Sequence, residues 1–217
     1  MIKAIFTTYF SFFSFYFSEG AYQRGVNHSS ATAAGASRHV FTDVTEMRDV
    51  TDAFFKTLPT NGLTVIQVER LEHPALWDMY VAKKRTMEQR DGLERVWLFH
   101  GTDEGTLPQI LVEGLNRSLC GTNASMHGKG VYFAVDSEYS SRDSYRQPNS
   151  SGEKLIFLCW VLVGEYCKGK EDAPAPDEIQ CHKRYDTTVD NMQTPKIFAT
   201  YNDAQAYPQY LVNFKFK

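Results

Sequence analysis

From Val44 onward the apolar residues of the chain fall into two rhythms, and the change from one to the other marks out its elements. Val44, Met47, Val50, Phe54 and Leu58 recur at three- and four-residue steps, which lays an apolar stripe along one face of a helix. Thr42-Asp43 place side-chain oxygens before its first turn, so a helix ending near Pro59 is predicted. Leu63-Thr64-Val65-Ile66-Gln67-Val68 is rich in β-branched residues and reads as a strand. Pro74 opens a second helix, with Leu76, Tyr80 and Ala82 expected inward and Lys83-Lys84-Arg85 outward.

After Arg95 the runs become shorter. Val96 to Phe99, Val131 to Ala134, Leu155 to Val163, Ile197 to Tyr201 and Gln209 to Phe216 each read as a strand. Between them lie a short helix from Pro108 to Glu113 closed by Gly114, a helical stretch from Ser137 to Tyr145, and a polar, Pro-bearing surface loop from Lys168 to Lys183. Strands outnumber helices here without regular alternation, so the expected class is α+β rather than doubly wound. No Gly-x-Gly-x-x-Gly occurs, which argues against a Rossmann nucleotide site.

Composition refines this only a little. With 217 residues, 42% of them hydrophobic and 23% charged, the chain suits one globular domain with a substantial core. A net charge of -3 offers no electrostatic footprint for nucleic acid, so no direct nucleic-acid binding is expected. Cys120, Cys159, Cys167 and Cys181 form no C-x-x-C pair and no zinc-like Cys/His cluster. No metal is therefore expected, and a reducing setting in nucleus or cytosol is favoured. Residues 4–17 stand apart. They are aromatic and uncharged, suited in length to a signal-peptide hydrophobic region and short for a membrane span, yet rich in Ser, Thr and Tyr and without Leu. With the Gly, Ser, Ala and Asn of Ser18 to Ser37, residues 1–37 read as a poorly ordered leader and linker before a domain over 38–217. Secretion or membrane association is the minority reading.

Candidate chemistry concentrates in two segments. Val96-Trp97-Leu98-Phe99-His100-Gly101-Thr102 brings an imidazole to the end of an apolar strand. Gly128-Lys129-Gly130-Val131-Tyr132-Phe133-Ala134 feeds a tyrosine into the start of another. A stretch rich in Gly, Asn, Ser and Thr separates them, suited to a polar, elongated ligand. A strand-end His is commonly structural and a Tyr after Gly-Val commonly core; the two segments in this order carry the inference together.

On these residues the chain resembles the catalytic domain of the poly(ADP-ribose) polymerase superfamily, the diphtheria-toxin-like ADP-ribosyltransferases. It is most similar to the mono-ADP-ribosylating branch that includes macrodomain-bearing members. Further matching pieces are Val68-Glu69-Arg70-Leu71 with Pro74-Ala75-Leu76-Trp77, Gly114-Leu115-Asn116-Arg117-Ser118, and Asn202-Asp203-Ala204-Gln205-Ala206-Tyr207-Pro208. The resemblance implies an α+β fold of mixed or antiparallel split sheets with a few flanking helices. It implies NAD+ as co-substrate, cleaved from nicotinamide through an oxocarbenium-like ribose, and transfer of ADP-ribose to a protein side chain. It further implies that His100 hydrogen-bonds the adenosine ribose, that the Gly101 backbone grips the nicotinamide carboxamide, and that Thr102 adds a hydroxyl on the ribose side. Tyr132 and Tyr145 would flank the nicotinamide, and Ser140 would hydrogen-bond its carboxamide. Asn116, Arg117 and Ser118 would contact the adenosine side. Leu119 to Lys129 matches the donor-site loop, with His127 where close relatives carry an aromatic residue.

Polymer-forming members have Glu as the third member of the catalytic triad. The matching segment here, Pro195-Lys196-Ile197-Phe198-Ala199-Thr200-Tyr201, puts Ile197 at that position. Elongation uses a sugar hydroxyl, which needs a carboxylate to polarise it. A Glu or Asp acceptor is already ionised near neutral pH. The expectation is mono-ADP-ribosylation of an acceptor protein on Glu or Asp, automodification included. A silent NAD+ or ADP-ribose-binding scaffold is the alternative, disfavoured by His100 with Tyr132. A polymerase is disfavoured by Ile197.

Overall fold

The computed structural model describes residues 29–31, 36–40, 44–58, 61–89, 95–119, 125–143, 147–180 and 182–217. Thr42-Asp43, Pro59, Cys120, Tyr145, Cys181 and residues 4–17 lie outside them. In chain order the strands are Ser29–Ala31 (β1), Ser37–Val40 (β2), Leu63–Glu72 (β3), Arg95–Thr102 (β4), Val131–Ala134 (β5) and Glu153–Leu162 (β6). They continue with Tyr166–Lys168 (β7), Glu178–Gln180 (β8), Lys183–Arg184 (β9), Thr187–Val189 (β10), Ile197–Thr200 (β11) and Ala206–Phe216 (β12). The helices are Val44–Phe55 (α1), Pro74–Glu88 (α2), Leu107–Glu113 (α3) and Ser137–Ser140 (α4).

Ten strands make one sheet in the order β1-β2-β3-β12-β6-β4-β5-β11-β10-β7, and β8 and β9 pair separately. Neighbours are antiparallel except β7 and β10, which run parallel. The sheet is split in the middle. β4 pairs with β6 from Arg95–Leu162 to Thr102–Leu155, but with β5 only through Phe99–Ala134. Beyond that pair the two half-sheets part.

The central strands are covered on both faces, which is why β6 reads as a nearly unbroken apolar run. On one face Val50, Phe54 and Leu58 of α1 and the turn after it pack on Val68, Phe99, Ile156, Tyr210 and Phe214. Phe54 is fully buried there, edge-on to Phe214 at 4.9 Å. On the other face Ile110, Leu111 and Leu115 pack on Leu98, Phe133, Phe157 and Leu211.

Several elements depart from the sequence reading. In α2 the buried stripe is Tyr80 and Met87 against Leu162 and Tyr207, and Ala82 is exposed. Lys84 lies half-buried on that stripe and pairs with Glu88 at 3.2 Å, its stem shielding apolar surface. In α1, Met47 is exposed, so the stripe is buried only from Val50 onward. β3 continues past Val68 to Glu72 because its polar end finds partners: Glu69 pairs with Arg38, and Arg70 with Glu46 and Glu72. β12 begins at Ala206, with Pro208 at a register shift, where a missing N–H costs no ladder bond. The helix expected from Ser137 to Tyr145 ends at Ser140; Lys154 Nζ holds the Ser141 carbonyl at 2.5 Å and pairs with Asp143. The surface loop after Lys168 contains the β8–β9 hairpin. The sheet also begins inside the stretch read as linker, since β1 and β2 pair through backbone that its Ser and Ala content does not announce. Among the described residues, no helix is long and apolar enough to cross a membrane.

Candidate active site

The His100 side chain reaches the Tyr132 backbone across the split. His100 sits near the end of β4, and its Nδ1 donates to the Tyr132 carbonyl at 2.8 Å. A carbonyl only accepts, so Nδ1 carries a proton, and in the neutral form of the ring Nε2 is an acceptor. The ring also packs on Phe133, centroid to centroid 5.6 Å. Two residues on, Thr102 is 2% exposed and its hydroxyl has no hydrogen-bond partner among the described residues. Such a group calls for a ligand or a solvent molecule to complete it.

The Tyr132 phenol is fixed at both ends of its hydrogen-bonding capacity. It donates to the Gly128 carbonyl at 2.7 Å and accepts from the His127 N–H at 2.8 Å. Burial pushes its pKa up to about 12, against the lowering by the His127 N–H. Near neutral pH the phenol therefore keeps its proton, and it serves as a wall and hydrogen-bonding group rather than as a base. The His127 imidazole is likewise held neutral: burial lowers its pKa, Asp190 opposes this, and Lys168 adds to it.

Both glycines of Gly128-Lys129-Gly130 are forced by close approach. Gly128 has φ +108, and a Cβ on it would lie 1.8 Å from the Tyr201 hydroxyl. A Cβ on Gly130 would lie 2.5 Å from the Thr200 carbonyl oxygen.

Strand register then places the third position. Tyr132 pairs with Ala199 and Ala134 with Ile197, so Ile197 shares a sheet face with Tyr132. Ile197 is 4% exposed, and its N–H donates to Asp190 Oδ1 at 3.0 Å. The Lys196 N–H donates to the same oxygen at 2.9 Å, and Lys196 Nζ reaches Asp136 at 2.9 Å. Ser140 joins the group as well: its hydroxyl donates to the Phe99 carbonyl at 3.1 Å, fixing α4 to the residue before His100. Gly101 lies between His100 and Thr102 on β4, paired with Ile156.

Asn116, Arg117 and Ser118 lie on the segment that follows α3. Asn116 Oδ1 accepts from the Ser118 N–H at 2.8 Å, closing a local turn. Arg117 donates its backbone N–H to Asp203 at 3.0 Å and lays its guanidinium over the Tyr201 ring at 5.7 Å. There it lines a cleft of about 560 Å³ with Lys83, Arg184 and Tyr185. Sequence reasoning missed Asp190, Thr188 and Tyr201, which surround His127 and Ile197. Among the described residues, no cluster of His, Cys, Asp and Glu could hold a metal ion.

Comparison with known proteins agrees with this geometry. Residues 44–216 match the family model of the poly(ADP-ribose) polymerase catalytic domain. The chain is 40% identical over 154 residues to human protein mono-ADP-ribosyltransferase PARP14, covering 69% of this chain and 9% of that protein. It is 38% identical over 177 residues to mouse protein mono-ADP-ribosyltransferase PARP10, covering 78% of this chain and 18% of that one. Mouse protein mono-ADP-ribosyltransferase PARP12 is 33% identical over 174 residues, at 78% and 24%. The chain thus spans under a quarter of the length of each of these relatives. With the split sheet, the His100–Tyr132 pair and the forced Gly-Lys-Gly turn in place, the chain belongs to the poly(ADP-ribose) polymerase catalytic-domain family.

Proposed function

We propose that this chain is an NAD+-dependent mono-ADP-ribosyltransferase that modifies Glu or Asp side chains of a protein, itself included. The observation that carries this reading is Ile197, a buried aliphatic residue on the Tyr132 face where polymer-forming members of the family place Glu. The names of the three relatives described above, each a mono-ADP-ribosyltransferase, support it. NAD+ would lie in the split between β4 and β5. His100 Nε2 would accept from a ribose hydroxyl, the Thr102 hydroxyl would find there the partner it otherwise lacks, and Tyr132 would wall the nicotinamide.

In this reaction the bond from nicotinamide to ribose breaks, with its electron pair leaving on nicotinamide. A carboxylate oxygen of the acceptor forms the new bond to the ribose carbon. A cationic ring and an anionic carboxylate become a neutral amide and a neutral ester, so no base has to take a proton. That suits a site whose third position is aliphatic and whose Tyr132 and His127 are both neutral. The buried thiols of Cys159 and Cys167 fit a reducing compartment, nucleus or cytosol.

The test is incubation of the full chain with labelled NAD+, read on a denaturing gel beside His100→Ala. A discrete labelled band that the substitution abolishes supports the reading. A high-mass smear would instead mean polymer formation, and NAD+ binding without transfer would mean a silent module.

A further inference from the structure

Behind the Tyr132 wall, one carbonyl is held from two sides. His127 opens the Gly128-Lys129-Gly130 turn, and its N–H donates to the Tyr132 phenol at 2.8 Å. Its carbonyl accepts from Thr188 Oγ1 at 2.7 Å and from the Tyr201 hydroxyl at 3.1 Å. The two hydroxyls stand 3.1 Å apart. Both lone pairs of this carbonyl are therefore satisfied, each by a side chain based on the sheet: Thr188 lies within β10 and Tyr201 directly follows β11.

Fixing that carbonyl fixes the peptide plane between His127 and Gly128. The next carbonyl, Gly128 O, is the one that accepts the Tyr132 hydroxyl at 2.7 Å. The held unit lies between the peptide group that carries the His127 N–H and the one that carries the Gly128 carbonyl, so the two hydroxyls anchor the segment that presents both groups to the phenol. Tyr201 is also fitted to Gly128 itself, since any Cβ there would strike its hydroxyl. On its ring face Tyr201 carries the Arg117 guanidinium. One tyrosine therefore touches the chain at Arg117, soon after α3, and again at His127 and Gly128, just before β5.

We propose that Thr188 and Tyr201 are positioning residues for the donor site, acting as a two-hydroxyl clamp that sets the orientation of the Tyr132 phenol. The proposal rests on the reading of Tyr132 as the nicotinamide wall. A clamp on a binding wall acts on NAD+ recognition, so its loss raises KM for NAD+ more than it lowers kcat.

The experiment compares Tyr201→Phe, Thr188→Val, the double variant and Thr188→Ser in the full chain. KM and kcat are measured for NAD+, with NAD+ dissociation constants by calorimetry and melting temperatures alongside. Tyr201→Phe keeps the ring under Arg117 and isolates the hydroxyl. Each of Tyr201→Phe and Thr188→Val is expected to raise KM and the dissociation constant about fivefold. The double variant should exceed the product of the two, because removing the last donor leaves a buried carbonyl unsatisfied. Thr188→Ser, which restores the hydroxyl, should return KM to near that of the unmodified chain. A lowered melting temperature with unchanged KM and dissociation constant would reduce the clamp to a structural contact and overturn the proposal. So would failure of Thr188→Ser to rescue. If the unmodified chain binds NAD+ but transfers nothing, the transferase reading fails, and the calorimetric comparison still decides the clamp.

Discussion

The Nδ1 proton of His100 is bound to the backbone oxygen of Tyr132, 2.8 Å away across the split in the sheet. The two motif residues are therefore one unit: the histidine side chain helps hold the strand that presents the tyrosine, and that strand fixes the tautomer of the histidine.

His100→Ala should accordingly do two things. It removes the acceptor proposed for a ribose hydroxyl, and it leaves the Tyr132 carbonyl without its imidazole donor. Labelled transfer is expected to fall by about tenfold or more, the scale of one lost site hydrogen bond plus disturbed alignment. His100→Gln, which can donate from its amide in a similar region, should lose less. Equal losses in initial-rate assays of the two variants would show that the bond to Tyr132 has no part in activity.

Restoring the polymerase glutamate should not by itself create a polymerase. Ile197 is buried, with Ala134 as its cross-strand neighbour and its N–H bound to the Asp190 carboxylate. A glutamate there would be desolvated beside an existing negative charge, which favours its protonated form. Ile197→Glu is expected to cost about 2–4 kcal/mol of stability and to give no high-mass smear with labelled NAD+ at neutral pH. A smear would mean that the site accommodates an ionised carboxylate after all.

Gly130→Ala places a methyl group against the backbone oxygen of Thr200, which cannot swing aside as a side chain could. It should cost about 2–4 kcal/mol and weaken NAD+ binding, because the displaced turn is the one that meets the Tyr132 hydroxyl. Denaturant midpoints and calorimetry would show whether the two losses occur together.

Alkaline pH should expose the buried phenols. Burial raises the folded-state pKa of Tyr132 to about 12 and raises those of Tyr201 and Tyr210 as well, from an ordinary value of 10.0. Above that ordinary value the unfolded chain loses protons that the folded chain still binds, so stability falls as pH rises. Their contribution is fully present below pH 10 and is lost from there upward. Melting temperature followed from pH 8 to 11 should decline over the upper part of that range, and less steeply in Tyr210→Phe. An identical slope in that variant would remove the tyrosine from the account.

What the sequence reveals about this fold depends on how each residue is buried. Strands β5, β6 and β11 are legible because both their faces are covered, which leaves uninterrupted apolar runs. Thr187-Thr188-Val189 is just as buried, yet it is short, two-thirds polar and set in a polar stretch. Its hydroxyls are satisfied by Val163 and His127, partners that exist only once the sheet has formed. His100, Gly128, Gly130 and Tyr132 stand out as a motif because turn geometry and close approach restrict which residues can occupy those positions. Asp190 and Tyr201 carry no local signature, since what they touch is set by register between strands distant in the chain. Arg117 belongs to a recognisable motif, yet its packing over the Tyr201 ring is set by the fold and has no signature in the sequence.

The joint between the two half-sheets is one residue pair wide, Phe99 with Ala134, and the substrate cleft proposed here opens where the rungs stop. A molecule spanning that opening contacts both halves and so works as a removable rivet. By mass action, each occupancy adds cohesion to the folded chain in proportion to the logarithm of ligand concentration. Each departure of product takes it away. Under the proposed function this narrow seam would be loaded and unloaded once per turnover, and the chain would be least stable when empty.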